Sequence, residues 1–256
     1  MRTDKSCKTT LGLTFPKPLT VMEIDVGGFD RAIYRFQKEY DSGLIRYESY
    51  PFPFQIGKLD PVNLTVRPSK IIVGMKELFY KFAANFIRHL EDDTASILVD
   101  TGTLLYELTC AGYLQEKQEI QFDPKGNLLP NEKLRVSLTP VEYREPYIRM
   151  RGFVYQAKAH KKHLILNHHA TDEYGPVLQK DGSIAEARTG KRARHGWQQL
   201  GDSADVMVHT YWDNKASKPF CKVELAEVKA LEGMVFEEPT FEKLDKTIKM
   251  LKGITL

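Results

Sequence analysis

The sequence predicts an α/β protein whose mainly parallel sheet is covered by helices on both faces. Three observations predict it. Short runs such as Ser96–Val99 and His163–Asn167 are apolar without alternation, the pattern of strands buried on both sides. Between such runs lie stretches in which apolar residues recur every three or four positions, the helical period, most strongly over Ser69–Leu90. The two kinds alternate along the chain as far as Asn167, the order of βαβ units.

Taken in order, Thr9–Thr14 gives the first turns of a helix, stopped by Phe15-Pro16-Lys17-Pro18. Leu19–Ile24 reads as a strand that ends at Asp25 and the turn Gly27-Gly28. Phe29–Tyr40 is helical by the spacing of Phe29, Ile33 and Phe36. Leu44–Tyr50 is a short strand, and Pro51-Phe52-Pro53-Phe54 breaks the pattern. The helix 69–90 leads to the strand 96–99, then a helix over Gly102–Tyr113 and a turn-rich excursion over Asp123–Asn131. Val141–Ala159 is a helix announced by Thr139-Pro140 and Glu142. After the strand 163–167 the pattern changes. Gly175–Gly196 is polar, punctuated by glycine and expected to be a loop. Ala204–Trp212 and Phe220–Val228 alternate like antiparallel strands near an edge, and Phe241–Leu251 closes the chain as a helix.

Composition sets the class. The 256 residues suit one large α/β domain or two small ones, and 42% hydrophobic with 28% charged residues is ordinary for a globular protein. No apolar run approaches the roughly 20 residues that span a bilayer, and Met1–Thr10 has no apolar signal segment. Cys7, Cys110 and Cys221 are far apart and odd in number, so they read as reduced thiols of a cytoplasmic protein. A net charge of +3 describes a nearly balanced surface that permits nucleic-acid contact without arguing for it.

The chemistry is concentrated at strand ends. Lys8-Thr9-Thr10 reads as the back half of a phosphate-binding loop, and Ile97–Asp100 as an apolar strand ending in an acid. A lysine offsets phosphate charge, a threonine hydroxyl ligates Mg²⁺, and a neighbouring carboxylate holds the ion through water. Lys8, Thr9 and Thr10 with Cys7 are therefore the expected ATP-binding residues, and Thr9 with Asp100 the Mg²⁺ residues. The competing readings are an exposed helix-start lysine and a capping threonine. The loop is incomplete: Cys7 and Arg2 stand where the two glycines of G-x-x-x-x-G-K-[ST] belong. Glycine there lets the backbone turn left-handed and approach phosphate closely. Asp25 and Glu23, at the end of the strand 19–24, are candidates for activating the attacking water; Asp25, nearer the tip, ranks first. Asn167 and His168, at the end of the strand 163–167, can touch the terminal phosphate, or can be buried polar groups satisfied by backbone. His168 and His169 with Asp172, or with His195 and His209, match no standard zinc spacing. The segment 176–200 gathers Lys180, Arg188, Lys191, Arg192 and Arg194 against Asp181 and Glu186. Lys191, Arg192 and Arg194 are candidate DNA contacts, with Trp197 or His195 available to stack on a base. Arg192, Arg194, Lys222 and Lys229 are also candidates to reach a neighbouring subunit's nucleotide.

These pieces resemble, in order, a known family. Lys8–Leu19, Met22–Ala32, Ile97–Leu105, Leu164–Tyr174, Gly196–Leu200, Ala204–Met207 and Glu237–Leu244 are similar to phage-type RecA-like P-loop ATPases of the single-strand-annealing recombination group. The resemblance implies one RecA-like domain over 1–256 that lacks the strand before the phosphate loop. It implies an ATPase using ATP and Mg²⁺, acting on single-stranded DNA beside a single-strand-binding protein in the host cytoplasm, and assembled as a ring or filament. Two other functions remain open: a DNA-binding module of the same fold that has lost hydrolysis, and a small-molecule kinase with 175–196 as its lid.

Overall fold

The computed structural model describes residues 7–53, 56–60, 65–178 and 184–253. The chain begins with a short helix α1 (Lys8–Gly12), the strand β1 (Leu19–Glu23) and α2 (Gly28–Ala32). A 3₁₀ turn at Ile33–Phe36 separates α2 from α3 (Gln37–Asp41), so the helix expected over 29–40 is present in three pieces. Next come β2 (Ile45–Ser49), a hairpin of β3 (Ile56–Asp60) and β4 (Thr65–Pro68), and the long helix α4 (Met75–Glu91). Helix α4 starts later than its periodicity suggested, because Gly74 turns the backbone left-handed (φ 82°) just ahead of it. It buries Met75, Phe79, Phe82, Phe86 and Leu90, a single stripe at spacings of three and four.

The strand β5 (Ser96–Asp100) runs into α5 (Gly102–Glu119), whose first turn is capped by Thr101 accepting from the Leu104 amide at 3.2 Å. α5 continues past the expected end at Tyr113. Thr139 and Glu142 form the anticipated capping box ahead of α6 (Arg144–Ala159). After β6 (His163–Asn167), the chain forms β7 (Ala170–Leu178) and β8 (Ile184–Arg194), an antiparallel ribbon. The loop expected over 175–196 is thus a correction: most of it is strand. The chain ends with β9 (Val206–Asp213), β10 (Lys218–Ala226), β11 (Val235–Glu237) and α7 (Phe241–Leu251).

The central sheet is parallel and four-stranded in the order β2-β1-β5-β6, with helices on both faces; β9, β10 and β11 form a separate antiparallel sheet. The pleat sorts the core. Met22, Ile97 and Val99 face α4, α5 and α6 with Phe82, Phe86, Leu105 and Leu108. Leu19, Val21 and Leu98 face the other way, against Leu13, Phe29 and Ile45. From β1 the chain steps outward to β2 on one side, while β5 and then β6 build the other side. The reversal puts a topological switch between β1 and β5, the place at the carboxyl ends of the strands where open α/β sheets bind their ligands. Among the described residues, no helix is long and apolar enough to cross a membrane.

Candidate functional site

Strand register lines up three polar residues at that switch point. Glu23, Asp100 and Asn167 end β1, β5 and β6, and each is the register partner of the next across the sheet. All three are buried. β1 and β5 are buried along their whole length and carry Glu23 and Asp100 inward, while β6 is partly buried until it ends at the buried Asn167.

Helix α1 delivers the basic and hydroxyl groups to the same place. Gly12 lets it lie against the sheet: a Cβ there would stand 2.7 Å from a Leu98 methyl. One result is a hydrogen bond from the Thr9 hydroxyl to Asp100 Oδ2 at 2.6 Å, across 91 positions of sequence. Two hard oxygens so placed are what a Mg²⁺ ion already held by phosphates requires of a protein. Lys8 Nζ donates to the His168 carbonyl at 2.8 Å, which brings its ammonium over the end of β6. Thr10 comes next on the same helix. Cys7 precedes the helix in the left-handed region (φ 58°, ψ 23°), so the conformation that favours glycine is retained while the residue is not glycine. Burial raises the Cys7 thiol above its ordinary pKa, with Arg35 opposing. Arg2 lies outside the described residues.

The two candidate acids of β1 are in different situations. Glu23 is fully engaged: Oε1 accepts from the Phe29 amide at 2.7 Å and Oε2 from the Tyr47 hydroxyl at 2.7 Å. Asp25 lies just beyond the strand with its carboxylate 43% exposed, 3.4 Å from His169 Nε2. The amides of Ile24 and Asp25 both reach the Asp100 carbonyl, at 2.6 and 3.1 Å, which fixes this corner.

Three buried polar atoms near the tip of β6 have no hydrogen-bond partner among the described residues: Asn167 Nδ2, His168 Nε2 and Trp197 Nε1. An orphan donor on Asn167, in register with Asp100, suits an incoming phosphate oxygen. The His168 imidazole presses on the backbone of α5, where a Cβ on Gly102 would come within 2.7 Å of Nε2. Burial lowers its pKa to about 4, opposed by the His195 carbonyl and reinforced by Arg194, Lys8 and His169, so the ring is neutral near pH 7.

The basic segment is the β7–β8 ribbon. Lys191 and Arg192 lie on β8, with Arg192 in register with Asp172. Arg194 turns inward at its base and donates Nε to the Trp197 carbonyl at 3.2 Å. Trp197 itself is fully buried in the main core, so its ring is not available to stack on a base. Arg188 stacks over Tyr174 and pairs with Asp172 at 3.2 Å.

A second basic feature was not legible in sequence. Arg144, Tyr147 and Arg151 share one face of α6 and, with Pro140, Val141 and Gln199, line an open groove of about 440 Å³. Neither arginine is engaged in an ion pair among the described residues, and no acid lines the groove. Helical spacing on a sequence gives that face; what it cannot give is the turn at Gln198–Asp202 that forms the facing wall.

No protein-family model matches this chain, and no curated protein matches it.

Proposed function

We propose that this chain is a phage-type RecA-like ATPase that binds Mg-ATP at the carboxyl ends of β1, β5 and β6 and couples its hydrolysis to recombination or annealing of single-stranded DNA. The observation that carries the reading is the Thr9–Asp100 hydrogen bond at 2.6 Å. It brings a hydroxyl and a carboxylate remote in sequence to one place at the carboxyl end of the sheet. Together with Lys8 they form the oxygen-and-ammonium set that a Mg-nucleotide requires.

In this reading Lys8 offsets phosphate charge, and Thr9 and Asp100 offer oxygens to Mg²⁺. Asn167 donates its unused N–H to the terminal phosphate. Bound Mg-ATP supplies the reacting phosphoryl group; the protein supplies position and charge. Asp25 is the better placed acid to orient water, because Glu23 has committed both oxygens to Phe29 and Tyr47. Single-stranded DNA fits the two basic features. The β7–β8 ribbon offers cations, and the α6 groove sets an aromatic ring between two guanidiniums, the pairing that holds a backbone and stacks a base. A ring or filament would let a cation of a second copy complete the site.

One observation favours a second reading, a DNA-binding module that no longer hydrolyses ATP. Cys7 carries a side chain at the left-handed position where the loop must pass closest to phosphate.

Calorimetric titration with Mg-ATP separates the two. Saturable binding that is lost in Lys8→Ala and in Asp100→Asn is the expected result. No heat of binding with the folded parent chain would sink the ATPase reading and leave the DNA-binding one.

A further inference from the structure

The β7–β8 ribbon meets the body of the protein at a residue the proposed chemistry does not use. Thr103 is buried in the first turn of α5, just past Asp100. Its hydroxyl holds both strands of the ribbon at once. Oγ1 accepts from the His169 amide at 3.0 Å and donates to the His195 carbonyl at 3.1 Å. The same two residues close the ribbon's base, His195 N–H donating to the His169 carbonyl at 2.8 Å. His168 Nδ1 lies 3.3 Å from both the Thr103 hydroxyl and the His195 carbonyl, while the His168 carbonyl receives the Lys8 ammonium. Beyond this root the two strands pack mainly on each other.

A two-stranded arm anchored at one end is a lever. A force on its outer part is resisted at the root, and the root is hydrogen-bonded to the turn that carries Asp100 and to the residue that holds Lys8. We propose that Thr103 is a positioning residue that couples the ribbon to the nucleotide site, so that an anion bound on the ribbon and a nucleotide bound at Lys8 and Asp100 change each other's affinity through its hydroxyl. The identity of the two ligands, single-stranded DNA and Mg-ATP, rests on the function proposed above; the clamp itself does not. Coupling of this kind is reciprocal, so it can be read from binding alone.

Thr103→Val keeps the shape of the side chain and removes both hydrogen bonds, leaving the His169 amide unpaired. Thr103→Ser keeps the hydroxyl. The test is the affinity of the full-length chain for fluorescent oligo(dT), with and without a non-hydrolysable ATP analogue and Mg²⁺. In the parent the two affinities should differ by about fivefold or more, the ordinary size of a coupling. In Thr103→Val the ratio should fall to near one while each ligand alone still binds; in Thr103→Ser it should return. An unchanged ratio in Thr103→Val overturns the proposal, as does a ratio of one in a parent that binds both ligands. If the parent binds no nucleotide, the ATPase reading has failed, and amide hydrogen exchange decides the clamp: faster exchange at His169 and along β7 and β8 in Thr103→Val supports it, and unchanged exchange overturns it.

Discussion

Cys7 holds a left-handed conformation that favours glycine although it carries a side chain. The residue adopts φ 58° and still accepts the first helical hydrogen bond, Leu11 N–H to the Cys7 carbonyl at 3.0 Å. The turn is therefore dictated by the helix behind it: α1 must start where Lys8 and Thr9 reach β6 and β5. A side chain in the left-handed region costs roughly 1–2 kcal/mol, which glycine avoids. Cys7→Gly should raise the unfolding free energy by about 1 kcal/mol, less than the whole penalty because glycine also frees the unfolded chain. Urea denaturation reads this as a higher midpoint at unchanged slope. A lower midpoint would mean that the contacts of the cysteine side chain outweigh the strain. The substitution was visible in sequence as a missing glycine, but its conformation was not, because it is set by the fit of α1 against β5.

Elements with at least one buried face were legible in the sequence. β1, β5, β6, α4 and α6 announce themselves because a core selects apolar residues at their period. Among its described side chains the β7–β8 ribbon has none in the core, and its glycines and charges read as a loop even though the two strands pair. Packing also makes two glycines that look alike in sequence behave oppositely. A Cβ on Gly12 would meet Leu98, a side chain with no exposure and no room to retreat. Gly12→Ala should cost about 1–3 kcal/mol and pull Thr9 away from Asp100, weakening the proposed Mg-ATP binding in proportion. Gly152 lies within α6 with open space around its Cβ position. Gly152→Ala should add up to about 1 kcal/mol with no change in binding. Equal effects from the two, by denaturation and calorimetry, would contradict the packing of α1 on the sheet. The same logic extends to His89, which is buried and bridges Glu48 of β2 (3.1 Å) to Asp92 after α4 (3.0 Å). Burial alone would raise both acids; the Tyr50 hydroxyl and His89 outweigh it at Glu48, while Thr94 and His89 bring Asp92 to about 2. His89→Leu removes one partner from each carboxylate, while Arg88, Tyr50 and Asn85 still hold Glu48 and Thr94 and Arg46 still hold Asp92, so urea denaturation should read a loss of only about 1 kcal/mol.

For the whole molecule, the row Glu23, Asp100 and Asn167 was legible as three strand ends, but the adjacency of those strands, and so the switch point, came only from the order β2-β1-β5-β6. Just past the tip of β6 lies the neutral His168, and its burial makes global stability depend on pH. Above its ordinary pKa of 6.5 His168 is uncharged whether the chain is folded or not, and its contribution is complete. As the pH falls from 6.5 toward about 4, the unfolded chain takes up a proton that the folded chain refuses, so stability is lost through that window and the loss stops below it. The shift corresponds to about 3 kcal/mol at most. His163, lowered by burial with Asp245 opposing, works in the same direction. Glu48 and Asp92 also lose their stabilising effect on acidification, but only below their ordinary values of 4.5 and 3.8, which separates them from the histidine window. Urea denaturation of the parent and of His168→Leu between pH 5 and 7 isolates the effect. The parent should weaken steadily as the pH drops, and the variant, though less stable at pH 7, should weaken much less. Parallel profiles would mean that His168 accepts its proton in the folded protein, and that the tip of β6 is wetter and more open than the packing of His168 against Gly102 implies.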